Sequence, residues 1–167
     1  IYEGQLAVFG MLPHKRETAE ALRRMAKDEE HHLACFSDLV NERGVRPTAL
    51  TPVWHVAGFA LGAATALLGE KAAHACTAAV EEVIDAHYSA QVRRLEEMGE
   101  EEAGLRETIE RFRLEEVQHR DEAIEKGAEE APPIRCFPAR SRPPAVLRSD
   151  CRKRCERKPH GSSSLSQ

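Results

Sequence analysis

Apolar residues recur at alternating steps of three and four along three long stretches of the chain, a spacing that predicts amphipathic helices. The first stretch, from about Glu17 to Asn41, carries its seam on Leu22, Met25, Glu29, His32, Phe36 and Leu39. The second spans Glu70 to Met98, with Thr77, Glu81, Ile84, Tyr88, Val92 and Leu95 in the seam. The third follows a polar connection around Gly99 to Gly104 and uses Leu105, Ile109, Phe112, Glu116, His119 and Ala123. Residues 1–12 keep helical spacing until Pro13, which closes that segment. Val and Ile seldom alternate with polar residues and aromatic residues make up 5% of the chain, so the pattern predicts an all-α fold of packed helices.

Between the first two of these helices the chain loses its charge. From Pro47 to Gly69 there is no Asp, Glu, Lys or Arg, and Val53–Gly69 is apolar enough to raise the question of a membrane span. The stretch is short for a span, has Pro52 at its start and carries His55 and three glycines. It reads as a membrane-surface or substrate-lining segment, or as a buried helix hairpin in a soluble bundle.

Charge divides the 167 residues into two regions, a helical body over 1–131 and a tail over 132–167. The tail holds nine Lys and Arg against two acids, so the overall charge of −4 splits into about −11 on the body and about +7 on the tail. An acidic body is a poor footprint for phosphate backbones, which excludes nucleic acid as a partner. The tail is rich in Pro, Arg, Ser and Cys and has no helical period, which predicts disorder. Cys136, Cys151, Cys155 and His160 lack the CxxC pair of a zinc site. Five cysteines with no close pairing in the body fit a reducing compartment.

The chemistry lies in the seams, where glutamates and histidines stand in positions that suit leucine. A buried carboxylate costs several kcal/mol unless it is paired or binds a cation. Three inward glutamates and two inward histidines therefore call for a shared cationic partner. Glu29 with His32, and Glu116 with His119, are i, i+3 pairs one turn apart on a helix face, and Glu81 adds a carboxylate from another helix. Two Glu-x-x-His helices joined by single glutamates from two others form the ligand pattern of di-iron carboxylate bundles. Asp28 to His32 and Glu115 to His119 are i, i+4 pairs on nearly the same faces. The seam register favours Glu29 and Glu116, leaving Glu30, His31, Glu82 and Glu115 as solvated or ion-paired groups. Glu81 precedes Glu116 by 35 residues, and the same offset back from Glu29 places a fourth carboxylate upstream of Ile1. Glu3 lies about two turns, or ~12 Å, too far along to replace it.

The blocks YEGQLAVFG, KDEEHHLACF, GVRPTALTPVWHVAGFALGAATALLGEKAAHACTAAVEEVIDAHY and RFRLEEVQHRDEAIEKGAEEAP resemble the demethoxyubiquinone hydroxylase family of ubiquinone biosynthesis, over nearly all of residues 1–131. The resemblance implies a ferritin-like bundle, its first helix truncated here, in which Glu29, His32, Glu81, Glu116 and His119 hold two iron ions (Fe2+) and Glu81 bridges. It implies hydroxylation of demethoxyubiquinone, a polyprenyl quinone, with O2 and reducing equivalents from NADH. Trp54, Phe59, Leu61, Leu67 and Leu68 would then face the membrane and the quinone tail. Tyr88, on the Glu81 face and ~10 Å along it, would relay an electron or touch the quinone together with His87; the other reading of Tyr88 is a core tyrosine. His74 and Asp85 flank the same face. The family also suggests peripheral attachment to the matrix side of the mitochondrial inner membrane, or to a bacterial cytoplasmic membrane. A lipid-presenting accessory protein and self-association are the implied protein partners. The alternative is an incomplete bundle that binds quinone, lipid or a partner without turnover, because the family's first metal-binding glutamate and closing helix have no counterpart in this sequence.

Overall fold

The computed structural model describes residues 1–46 and 48–131. Among these the helices are α1 (Tyr2–Phe9), α2 (Arg16–Glu42), α3 (Thr51–Leu67), α4 (Glu70–Met98) and α5 (Ala103–Glu125). Single 3-10 turns stand at Pro13–Lys15, Glu100–Glu102 and Ala128–Glu130, and no strand occurs among the described residues. The seam pattern places α2 within a residue of its ends and α4 at its observed ends. Helix α5 starts earlier than Leu105, because the acidic connection winds into a 3-10 turn that runs straight into it. The expected disordered tail, with Cys136, Cys151, Cys155 and His160, lies outside the described residues.

Helices α2 and α5 run antiparallel, as their cross-links show: Arg24 pairs with Glu122, Asp28 with His119, His32 with Glu115 and Arg43 with Glu102. Helix α4 packs along α5, where Asp85 bridges Arg113 at 2.9 Å and Arg120 at 3.4 Å, and Lys71 pairs with Glu130. Helix α1 packs on α3 and α2 and is tied to α4 by Gln5 Nε2, which donates to the Ala73 carbonyl and to Thr77 Oγ1. Tyr2, Phe9, Leu22, Met25, Ala66 and Ala73 form one core cluster, and Ile109, Phe112 and Ala123 carry the buried stripe of α5.

Helix α3 is attached differently. A Cβ on Gly4 would stand 2.0 Å from the Phe59 carbonyl oxygen, and one on Gly62 would stand 2.0 Å from the Ile1 carbonyl oxygen. The two backbones therefore touch directly, which only glycine permits. Because α3 is held along this glycine seam, most of its large side chains are not drawn into the core: Trp54 is 64% and Val56 71% exposed. The segment is thus no buried hairpin, and no described helix is long and apolar enough to cross a membrane. Gly69, at φ +114°, makes the turn into α4.

Candidate metal centre

Glu29 on α2, Glu81 on α4, and Glu116 and His119 on α5 bring one ligand atom each to within 4.8 Å of one another. His32 joins them, its Nδ1 3.2 Å from Glu116 Oε1 and 3.8 Å from Glu29 Oε2. All five expected ligands therefore converge, with Glu116 between the two imidazoles. Asp28 and Glu115, the i, i+4 alternatives, serve the far side of the rings. Glu115 Oε2 lies 2.6 Å from His32 Nε2, and Asp28 Oδ2 lies 3.2 Å from His119 Nε2. A carboxylate on Nε2–H turns the Nδ1 lone pair toward the cluster when a cation replaces its proton. Each acid reaches across to the histidine of the other helix, so of the two readings offered for Glu115, solvated or ion-paired, the structure shows the ion pair. The signal was present: both helices carry an acid four residues before the histidine.

Six side-chain atoms of this cluster are buried without a well-formed hydrogen bond: Glu29 Oε1, Glu81 Oε2, both Glu116 oxygens, and Nδ1 of His32 and His119, of which the two imidazoles and Glu116 face one another only as ion pairs at 3.2 and 3.4 Å. An oxygen with no partner at all, as Glu29 Oε1 and Glu81 Oε2 are, costs about 1–3 kcal/mol, more when charged. Burial, helped by the charge of Glu116 and opposed by the Tyr2 hydrogen bond, pushes the Glu81 carboxyl up to about 8. Burial and the charge of Glu116 push Glu29 up to about 7. Burial also works against ionisation of Glu116, but the His119 and His32 imidazoles outweigh it and hold that carboxyl at about 2. Burial disfavours the His119 cation, yet Glu116 and Asp28 hold it up at about 9. Protons stand where cation charge would otherwise be. Three carboxylates and two imidazoles are hard and borderline donors, which suit first-row divalent metals.

Helix α1 contributes a residue that sequence reasoning did not single out. Tyr2 Oη donates to Glu81 Oε1 at 2.7 Å, both groups buried, and the tyrosine ring meets His119 edge-on at 6.2 Å. Burial and the neighbouring carboxylates hold the phenol far above its ordinary range. Glu3 is exposed and stands apart from the cluster. An eight-residue helix offers no seam from which Tyr2 could be read.

Tyr88 is half-buried, its phenol pushed up by burial and then by Glu116, Glu29 and Glu81. Its ring centroid lies 6.1 Å from Phe36, which lies 5.5 Å from Phe112, which lies 4.1 Å from His32. His87 is exposed, 6.5 Å from the Tyr88 ring and bonded to Gln91, so the fold does not bring it to the cluster. His74 is buried at the other end of α4, and Asp85 is held by its two arginines.

A cleft of about 340 Å³ opens onto the cluster. Tyr2, Glu29 and Glu81 line it together with Leu33, Trp54 and Phe59. Leu61 is half-buried outside it, and Leu67 and Leu68 are exposed at the α3–α4 turn.

Antiparallel helices that enclose paired Glu-x-x-His motifs and a third carboxylate define a ferritin-like helix bundle with an interior able to hold metal. The chain belongs to the family described as Ubiquinone biosynthesis protein COQ7, whose profile matches residues 1–140. It is 55% identical over 132 residues to the 3-demethoxyubiquinol 3-hydroxylase of Rhodospirillum rubrum, covering 79% of this chain and 59% of that protein. It is 46% identical over 133 residues to the mitochondrial NADPH-dependent 3-demethoxyubiquinone 3-hydroxylase of Homo sapiens, with the same two coverages. Against the mitochondrial 5-demethoxyubiquinone hydroxylase of Saccharomyces cerevisiae the identity is 39% over 146 residues, 80% of this chain and 61% of that protein. The chain spans about three fifths of the length of these relatives. The resemblance seen in the sequence is borne out as family membership.

Proposed function

We propose that this chain is a di-iron monooxygenase that hydroxylates the ring of a demethoxyubiquinone. A ring C–H becomes C–OH, the second oxygen atom of O2 leaves as water, and two electrons come from a reduced nicotinamide nucleotide. Names among the relatives specify NADPH where the sequence reading expected NADH. The observation that carries the proposal is the convergence of three carboxylates and two imidazoles in one buried cluster, with Glu29 Oε1 and Glu81 Oε2 left unpartnered. Glu29, His32, Glu81, Glu116 and His119 hold the two ferrous ions, which supply the activation of O2 that ring hydroxylation requires. Glu115 and Asp28 aim the histidines. Trp54 and Phe59 flank the quinone in the cleft and exclude water from Glu29 and Glu81. Tyr88, with His87 beside it, is the electron relay or quinone contact, its ring separated from His32 by the packed rings of Phe36 and Phe112.

The open α3 face, with Val53, Trp54, Val56, Leu67 and Leu68 exposed, attaches the protein peripherally to the membrane that dissolves its polyprenyl substrate. That membrane is the mitochondrial inner membrane on its matrix side in a eukaryote, or the cytoplasmic membrane in a bacterium. Self-association and a lipid-presenting partner would use the same face. Five of the six residues that the pattern calls for converge, and the alternative of a binding remnant draws no support from relatives that are named hydroxylases. The test is anaerobic ferrous reconstitution of the 167-residue chain read by Mössbauer spectroscopy. Two coupled irons per chain are expected, lost in Glu81→Ala and Glu116→Ala but kept in Glu82→Ala. One iron or none in the parent chain would overturn the proposal.

A further inference from the structure

We infer that Tyr2 is a positioning residue of the metal centre: its phenol occupies one oxygen of Glu81 and leaves that carboxylate a single oxygen for cations, in place of the two-oxygen bridge expected of Glu81 from the resemblance. The inference rests on the metal reading above. Tyr2 Oη donates to Glu81 Oε1, while Glu81 Oε2 is buried with no partner. A free carboxylate can chelate one ion with both oxygens or offer them separately. A neutral donor fixed on one oxygen draws charge from it and weakens it as a ligand.

The donor is fixed from several sides. Tyr2 belongs to the core cluster with Phe9, Ala66 and Ala73. One helix turn on, Gln5 ties α1 to Ala73 and Thr77 of α4, the helix that carries Glu81. Gly4 presses the same turn against the α3 backbone, so the hydroxyl cannot swing away without moving two helix contacts. The histidines are oriented by part-exposed acids, Asp28 and Glu115. Glu81 is oriented by a buried neutral group that also lines the substrate-sized cleft.

The test is anaerobic titration of Co2+ into the full chain and into Tyr2→Phe, read by visible d–d absorption. Freed of the phenol, Glu81 chelates, coordination number rises and the d–d band loses intensity. Affinity stays within about tenfold of the parent, since one hydrogen bond and no ligand is lost. Leu22→Val, which loosens the same core without touching Glu81, leaves the spectrum as in the parent. An unchanged spectrum in Tyr2→Phe overturns the inference, and a parent chain that takes up no Co2+ overturns the metal reading itself. A second measurement does not depend on how Tyr2→Phe folds. The chain has two tyrosines, so in a Tyr88→Phe background the tyrosine C–O stretch in the infrared belongs to Tyr2. Adding Glu81→Ala shifts that band if the hydrogen bond is as described, and an unmoved band refutes it.

Discussion

Removing the Glu115 carboxylate tests how the centre is held together without touching a ligand. Glu115 Oε2 sits 2.6 Å from Nε2 of a buried His32, whereas Asp28 Oδ2 sits 3.2 Å from Nε2 of His119. The Glu115 side chain is 36% exposed and that of Asp28 51%. Loss of such an outer partner costs about 10–100-fold in metal affinity. The short contact to a sealed ring places Glu115→Ala in the middle of that range, about 30-fold, or ~2 kcal/mol. The longer and wetter Asp28 contact places Asp28→Ala at about tenfold or less. Glu115→Gln keeps an acceptor on the ring and recovers most of the loss. Competition titration of Co2+ against a chelator gives the affinities, and circular dichroism melting confirms that each variant folds. Were Glu115 itself a ligand, its removal would lower the metal stoichiometry, and that result would refute the assignment. So would a larger loss in Asp28→Ala than in Glu115→Ala.

Gly4→Ala and Gly62→Ala drive a methyl group into a backbone carbonyl and should each lower stability by about 1–3 kcal/mol. Gly58→Ala, whose Cβ would meet Ile1 N at 3.7 Å, should be tolerated; equal melting temperatures for all three would contradict the glycine seam. The cation-free chain should lose stability as pH rises from 5 to 8. Glu81 and Glu29 have folded values near 8 and 7, above the ordinary 4.5, so they stabilise the fold while protonated and stop doing so as pH passes those values. His119 acts in the same sense toward 9, while Glu116 loses its contribution only as pH falls toward 2. Metal must displace these protons, so Co2+ affinity should rise from pH 6 to 8 with a buffer-dependent binding enthalpy; a flat profile would count against the ligand set. The chain has one tryptophan, Trp54, on the open face of α3, and its emission should shift to the blue on anionic vesicles. No shift would count against attachment through α3.

The five clustered residues were legible because a seam of period near 3.5 makes any polar interruption conspicuous, and Glu29, His32, Glu81, Glu116 and His119 all interrupt one. The ends of α4 were legible as well, since Gly69 and Gly99 flank it at positive φ and mark its termini in the sequence. The exposure of α3 was legible only as one of two readings, because a helix apolar on all sides has the same hydropathy in a core as on a surface. What decides it is backbone contact at Gly4 and Gly62, which hydropathy does not encode. Tyr2 was hidden for a related reason: its partner lies 79 residues away, and its own helix is too short to show a face. The outer acids were seen only as alternative ligands, and their partners were not legible. Spacing within one helix offers Asp28 to His32 and Glu115 to His119, whereas the fold crosses them, Asp28 to His119 and Glu115 to His32. That exchange requires α2 and α5 to run antiparallel with both motifs at one level. An acid, a glutamate and a histidine at positions 1, 2 and 5, repeated on two helices, thus carry information about register as well as chemistry. Each copy supplies two ligands to the centre and the outer partner for the other copy's histidine. Neither helix can orient its own imidazole, so the centre and the pairing of the two helices form together.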